Sequence, residues 1–448
     1  MKKYDVIVIG ESAAGVVAAT TARKYYPEKT ILTVRDVQFV PIPCGIPYIF
    51  GTAHDPMKNL IPVENIEKGN QLDAVIGLVE KIDRQAKTVL VNGETYEYDR
   101  LVIATGSKPI IPPIKGINLN HVYSIEKNPE YLQKAYNKLK TTKDVVVIGG
   151  GFIGCEMAEE IKKHNKDFNV SVVEMQNHLL KVVYDEEYCL FAEQALTAEN
   201  INLYLNEQVV ELLGKDDVEG VKLASGKILK ADLVVLGIGA KANTQLAQEA
   251  LLDMGPGRGI KVNRYMQTSD PNIFACGDCA DKESFFDHKP SMLKLASIAT
   301  MEARIVGANL FKLNRVNQGV VGCFSTVLNG NVFAAAGLNE EEAKNKGYMI
   351  VSGASESVNR HPGLMPGAQN MKVKLLFEKG NHVIVGGEIY GAYSGGELIN
   401  AVSAFISQKM TAEEIVTFQA GTHPALTASP IAYQLVNAAE NALVKMLK

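Results

Sequence analysis

The chain has 448 residues, 46% of them hydrophobic, with 46 basic and 50 acidic side chains and a net charge of −4. That length exceeds a single hydrophobic core and suits three domains, and the dispersed charge offers no basic face for nucleic acid. No window supplies the roughly 18 uncharged apolar residues of a membrane span, and six irregularly spaced cysteines do not form a secreted disulfide scaffold. A cytoplasmic protein acting on small molecules is expected.

The opening MKKYDVIVIGESAAGVVAAT places two lysines before an apolar stretch, as a signal peptide would. Asp5 and Glu11 interrupt it, and its glycines read better as a strand turning into a helix. Tyr4 to Ile9 is the strand, and Gly10, Ser12 and Gly15 form a loose version of the dinucleotide-binding turn. Twenty residues past Gly15 stands Arg35 rather than an acid, with Asp36 next to it as the candidate ribose contact. A loop and short helix follow around Cys44, then a meander ending in YDRLVIATGSKP.

A second α/β unit runs from about Asn118 to Ala242 and carries the cleaner turn: Val145 to Ile148, then Gly149, Gly150, Gly151, Phe152, Ile153 and Gly154, then a helix. Gly149 and Gly151 permit the tight turn and close approach to a pyrophosphate, and Gly154 lets helix pack on strand. Glu174, 20 residues past Gly154, stands where a carboxylate accepts hydrogen bonds from a ribose 2′-OH and repels a 2′-phosphate. This site therefore reads as one for NADH in preference to NADPH. Asp278, between Gly277 and Cys279, follows an apolar strand at the carboxyl end of a sheet, where ligands bind. Its neighbours Cys276 and Cys279 form a CxxC without a second pair, so no metal site is expected. Beyond about Gln318 the pattern alternates as antiparallel strands around helices, an α+β module with no nucleotide signal.

The order of these turns with ATGSKP (Ala104 to Pro109), GIGAKAN (Gly237 to Asn243) and IFACGDCA (Ile273 to Ala280) resembles the FAD-dependent pyridine nucleotide-disulfide oxidoreductases over essentially the whole chain. PCGIPY (Pro43 to Tyr48) is similar to their single-cysteine branch, which holds coenzyme A disulfide reductases, NADH oxidases and peroxidases, and sulfur or polysulfide reductases. The resemblance implies an α/β fold with two Rossmann-like domains, for FAD (1–117 and 243–320) and NAD (118–242), plus an α+β dimerisation domain (321–448) in a homodimer. It implies FAD at Gly10, Ser12, Gly15, Asp36, Ala104, Thr105, Gly106 and Asp278, the last on the ribityl chain. NADH would lie at Gly149, Gly151, Gly154, Glu174 and Gly239. Phe152 would cover the nicotinamide side of the flavin and swing away; its alternative is core packing.

Cys44 is the expected redox residue. It follows Pro43 and precedes a short helix, whose N-terminus favours thiolate. Dithiol members of the class carry a second cysteine four or five residues on, where Tyr48 and Ile49 stand here, so a single thiol would cycle through a mixed disulfide, persulfide or sulfenic acid. THPALTASP (Thr422 to Pro430) resembles the segment that dithiol members reach across the dimer, making His423 the acid/base candidate, with Tyr48 and His361 as weaker ones. Coenzyme A is a further candidate ligand. Its reductases carry two arginines on the first helix, where Arg23 matches the second position and Thr21 replaces the first. The expected reaction is reduction of a small sulfur compound by NADH. The alternatives are an oxidase or peroxidase acting on oxygen or peroxide, and an electron-transfer flavoprotein feeding a protein partner.

Overall fold

The computed structural model describes residues 1–448, in two compact units. The first comprises Met1–Pro112, Tyr123–Thr141 and Ile238–Val320, the second Pro113–Val122, Thr142–Gly237 and Val321–Lys448. No helix is long and apolar enough to cross a membrane.

In the first unit, strand Lys2–Ile9 is buried on both faces from Val6 onward, as a central parallel strand covered by helices must be. It pairs in parallel with Ile31–Arg35 on one side and Glu94–Ile103 on the other, and Ile273–Ala275 lies parallel to the end of the latter. The chain thus leaves Lys2–Ile9 in opposite directions to its two neighbours, which opens a crevice at its carboxyl end. Helix Ala13–Tyr25 covers this sheet with an alanine-rich face and crosses helix Ala296–Asn309 backbone to backbone: a Cβ on Gly307 would fall 2.6 Å from Thr21 Cβ. Helix Pro129–Leu139 belongs to the same unit, where Tyr136 meets the Phe50 ring at 6.4 Å.

The second unit repeats the theme. Strand Asp144–Ile148, buried throughout, pairs in parallel with Asn169–Val173 and Leu233–Leu236, and Asn202–Tyr204 extends the sheet. The C-terminal module is a five-stranded antiparallel sheet in the order Cys323–Leu328, Asn331–Gly337, Ile384–Gly391, Asn370–Glu378, Ile350–Val358. Helix Gln434–Met446 presses on its last strand closely enough that a Cβ on Gly353 would lie 2.0 Å from the Ala438 carbonyl oxygen. The α/β class, the two parallel sheets and the α+β module agree with the expectation from sequence.

Candidate nucleotide and thiol sites

The two glycine turns are built alike. Gly10 donates its N–H to Val34 O and Gly149 donates its own to Val173 O, each at 2.8 Å. Both have positive φ, +95° and +107°. A Cβ on Gly15 would fall 1.7 Å from Gly10 O, and one on Gly154 1.8 Å from Gly149 O, so each helix begins against the turn that precedes it. The helices Ala13–Tyr25 and Phe152–His164 are preceded by Ser12, whose side chain bonds no first-turn amide, and by Gly151, which has no side chain to do so. A Cβ on Gly151 would meet nothing within 4 Å. Open first-turn amides at the positive end of a helix, beside space that glycine leaves clear, suit a pyrophosphate. The residues present fit a dinucleotide at both turns.

The strand ends differ. Glu174 accepts from Gly150 N–H at 2.6 Å and Gln176 N–H at 2.7 Å, one bond to each oxygen, which fixes the carboxylate at the rim of the second turn. Arg35 holds the equivalent place in the first turn, with its guanidinium buried between Glu11, at 2.6 Å, and Glu67. Burial and the neighbouring Glu67 charge push Glu11 up to about 7 against the pull of Arg35. Asp36 is exposed beside this triad. Arg35 in the acid's usual place, with Glu11 inside the turn, was the available signal for such a charge exchange; the part of Glu67 had none.

Asp278 lies on a 3-10 turn, Gly277–Cys279, where Ser107 Oγ donates to it at 2.7 Å and Lys127 Nζ stands 3.8 Å away. ATGSKP and GIGAKAN clasp each other. Ser107–Pro109 pairs antiparallel with Ala240–Ala242, Thr105 Oγ1 donates to Asn243 O at 2.7 Å, and Asn243 N–H donates to Gly106 O at 2.9 Å. Ala104 N–H bonds Ile9 O, so the clasp begins at the tip of the central strand, and Gly239 O accepts from Ile110 N–H. Lys127 and Ser107 join the site through contacts distant in sequence, which no local pattern announces.

Cys44 sits inside a one-turn 3-10 helix, Pro43–Gly45, and is exposed. A single turn carries little dipole, unlike the helix N-terminus expected from the sequence. Asn59 fastens the turn: its Nδ2 donates to Ile42 O at 2.9 Å, and a Cβ on Gly45 would fall 2.0 Å from its Oδ1. Tyr48 is half-buried and Ile49 buried. All other cysteines are at least partly buried, and burial raises each of their thiols, that of Cys189 to about 12. Arg23 donates to four backbone carbonyls, those of Asn70, Pro27, Lys29 and Gln71, and Thr21 packs on Gly307. Neither presents a free cation to coenzyme A phosphates.

In the second unit Phe152 stacks on Phe324, with centroids 5.3 Å apart and planes 5° from parallel, and touches Tyr184. Its helix is tied to the C-terminal module by Thr326 Oγ1 donating to Glu156 at 2.7 Å and Asn329 N–H donating to Glu159 at 2.9 Å. Burial lifts Glu156 to about 7 despite that bond. A raised folded value means that stability is full below about 4.5 and falls as pH rises to about 7. Glu156→Gln is therefore expected to raise the melting temperature at pH 8 and leave it unchanged at pH 4, with a gain of about 2 kcal/mol or less, since water reaches part of the carboxyl. Calorimetry at the two pH values checks this; equal shifts at both would remove the titration as the cause. His423 is exposed in a loop that also holds the backbone of His361.

Two parallel-stranded nucleotide folds, each with a phosphate-cradling glycine turn, and an exposed cysteine define a dinucleotide-dependent oxidoreductase. The chain belongs to the pyridine nucleotide-disulphide oxidoreductase family, which it matches over residues 4–303, and residues 325–431 match that family's dimerisation domain. It is 31% identical over 421 residues to an NADH oxidase of Enterococcus faecalis, covering 92% of this chain and 93% of that one. It is 30% identical over 426 residues to a CoA-dependent NAD(P)H sulfur oxidoreductase of Pyrococcus furiosus, covering 93% and 94%. Among solved structures, an NAD-dependent persulfide reductase from A. fulgidus superposes with a TM-score of 0.91 at 30% identity, covering 98% of this chain and 83% of that one.

Proposed function

We propose that the protein is an FAD-dependent NADH oxidoreductase that reduces a small sulfur substrate, a disulfide, persulfide or polysulfide, at Cys44. The observation that carries this reading is the solitary exposed thiol on a turn held by Asn59, in a chain of this family whose other cysteines are at least partly buried. FAD would be held by the first turn, by Ala104, Thr105 and Gly106, and by Asp278, with Asp36 exposed at the rim. NADH would be held by the second turn, Glu174 and Gly239. When bound, FAD takes up the two electrons of NADH and makes them available to sulfur. The protein's part is to orient both dinucleotides through backbone amides, to present Cys44 Sγ to the substrate, and to supply protons to the thiolates that S–S cleavage releases. Phe152, resting on Phe324, would leave that ring when nicotinamide enters. The division into FAD (1–117, 243–320), NAD (118–242) and dimerisation (321–448) domains is part of this proposal, as is a homodimer in which the C-terminal loop with His423 completes the site of a second copy.

The oxygen-reducing alternative draws on the Enterococcus faecalis relative, an NADH oxidase. Coenzyme A itself fits less well, because Arg23 is committed to backbone carbonyls. Anaerobic titration with NADH separates the readings: an active Cys44 takes up electrons beyond those FAD holds, whereas uptake that stops at two per FAD would make the cysteine structural. Initial rates with polysulfide, a small disulfide, peroxide and oxygen then rank the acceptors.

Glu174, fixed by two amides, underlies the preference for NADH. Glu174→Ala is expected to lower kcat/KM for NADH by roughly ten-fold or more, the worth of one or two charge-assisted hydrogen bonds to a ribose, and to narrow the margin over NADPH. Equal kcat/KM for the two nucleotides in the unmodified enzyme would overturn the assignment.

A further inference from the structure

The C-terminal module brings together two loops with nearly the same sequence, HPGL (His361 to Leu364) and HPAL (His423 to Leu426). They are bonded to each other: His361 N–H donates to Pro424 O at 3.1 Å, and His361 Nδ1 lies 3.0 Å from Thr427 O. Thr427 Oγ1 in turn accepts from His423 N–H at 3.0 Å. The first loop is closed at its base by Asn359 and Gln369, which exchange N–H to O and N–H to Oδ1 bonds. Neither ring is paired with a carboxylate, unlike His178 with Glu193 or His382 with Glu413.

These backbone contacts impose opposite tautomers. A carbonyl oxygen only accepts, so His361 must carry its proton on Nδ1, leaving Nε2 as the free nitrogen. Ala425 N–H donates to His423 Nδ1 at 3.2 Å, so that nitrogen must be bare and Nε2 must carry the proton. A proton added to His423 Nδ1 would face the Ala425 N–H and break that bond. His361 donates from Nδ1 whether its ring is neutral or charged, so Nε2 can take up and release a proton without disturbing the loop.

We propose that His361 is the proton carrier for the reduction and that His423, usually the expected acid, serves beside it as a fixed hydrogen-bond donor through Nε2–H. This rests on the reading above that the C-terminal loops serve the thiol chemistry of a second copy. Two electrons originating in NADH break an S–S bond into two thiolates. One stays on the enzyme; the other takes the proton from His361 Nε2 and leaves as a thiol or hydrosulfide, and solvent restores the proton. With peroxide as acceptor, the departing hydroxide takes the same proton.

The test has two arms. In holoenzyme grown on ¹⁵N-histidine, with His361→Asn and His423→Asn used to assign the signals, nitrogen chemical shifts at alkaline pH should show His361 as the Nδ1–H and His423 as the Nε2–H tautomer. The same tautomer in both rings would overturn the proposal whatever the substrate. Asparagine at 361 keeps an amide donor for Thr427 O but has nothing at the Nε2 position. His361→Asn should therefore lower kcat about 100-fold with whichever of polysulfide, disulfide or peroxide the enzyme reduces fastest, with the loss in the half-reaction that consumes the acceptor. His423→Asn should act mainly on KM, by about five- to ten-fold, as loss of one hydrogen bond does. A His361→Asn enzyme within three-fold of normal kcat, or a larger kcat loss in His423→Asn, would return the proton to His423. An enzyme that prefers peroxide over every sulfur compound would instead refute the substrate reading and leave this arm fully measurable.

Discussion

A Cys44→Ser enzyme is expected to remain yellow, to be bleached by NADH at the usual rate, and to lose kcat for disulfide, persulfide and polysulfide by on the order of a thousand-fold. In the binding mode proposed above, flavin and nicotinamide draw on backbone amides at the two glycine turns and on the clasp between ATGSKP and GIGAKAN, whose own contacts involve no sulfur. Serine also fits the site: residue 44 is exposed, and the turn is held by Asn59 acting on Ile42 and Gly45 rather than on the cysteine. What serine cannot do is form the S–S bond through which exchange proceeds, because its hydroxyl is neither ionised near neutral pH nor able to bond sulfur reversibly. Oxygen consumption is expected to persist or rise, since reducing equivalents no longer drain into sulfur. Rapid-mixing absorbance resolves the two half-reactions, and unchanged sulfur-reductase kcat in the variant would make Cys44 a structural residue.

Gly10→Ala is expected to yield a colourless, less stable protein. The strain of a side chain at φ +95° costs about 1–2 kcal/mol. A Cβ there would also lie 2.3 Å from the carbonyl oxygen of Ala104, whose own N–H is bonded to the end of the central strand at Ile9 O. Relieving that overlap means separating two buried strands, a further cost of about 1–3 kcal/mol. The distortion falls on the turn proposed to cradle the flavin pyrophosphate. Gly151→Ala provides the contrast. Its φ is −78° and its Cβ would meet nothing, so the fold and the yellow colour should survive while NADH binding weakens, because the methyl takes up the space left beside the open amides. The ratio of 450 nm to 280 nm absorbance, read with the melting temperature, distinguishes the two. A fully flavinylated Gly10→Ala protein of normal stability would show that the turn does not hold FAD.

Much of the architecture was readable without coordinates because its signals are local. A run of β-branched residues ending in glycine, followed by small residues at helical spacing, demands the same strand, turn and helix wherever it occurs, and both copies formed as expected. The spacing from Gly154 to Glu174 likewise spans one helix and one strand, so it placed a carboxylate at a strand end. The same count placed Arg35 there in the first copy, but could not say what would neutralise it, since Glu67 arrives from a helix more than thirty residues further on.

The sequence by itself determined the class and the strand, glycine turn and helix of both copies, since these depend on residue types at fixed short separations, and it singled out Cys44 for the proposal through the resemblance of PCGIPY. Only the tertiary structure decided the surroundings that give those residues their chemistry. It confined Cys44 to a single turn clamped by Asn59, turned Arg23 to backbone carbonyls, stacked Phe152 on Phe324, and set His361 against the loop of His423. Such contacts join segments tens to hundreds of residues apart, and burial and hydrogen-bond partners at that range follow from how whole elements pack, which no local pattern encodes.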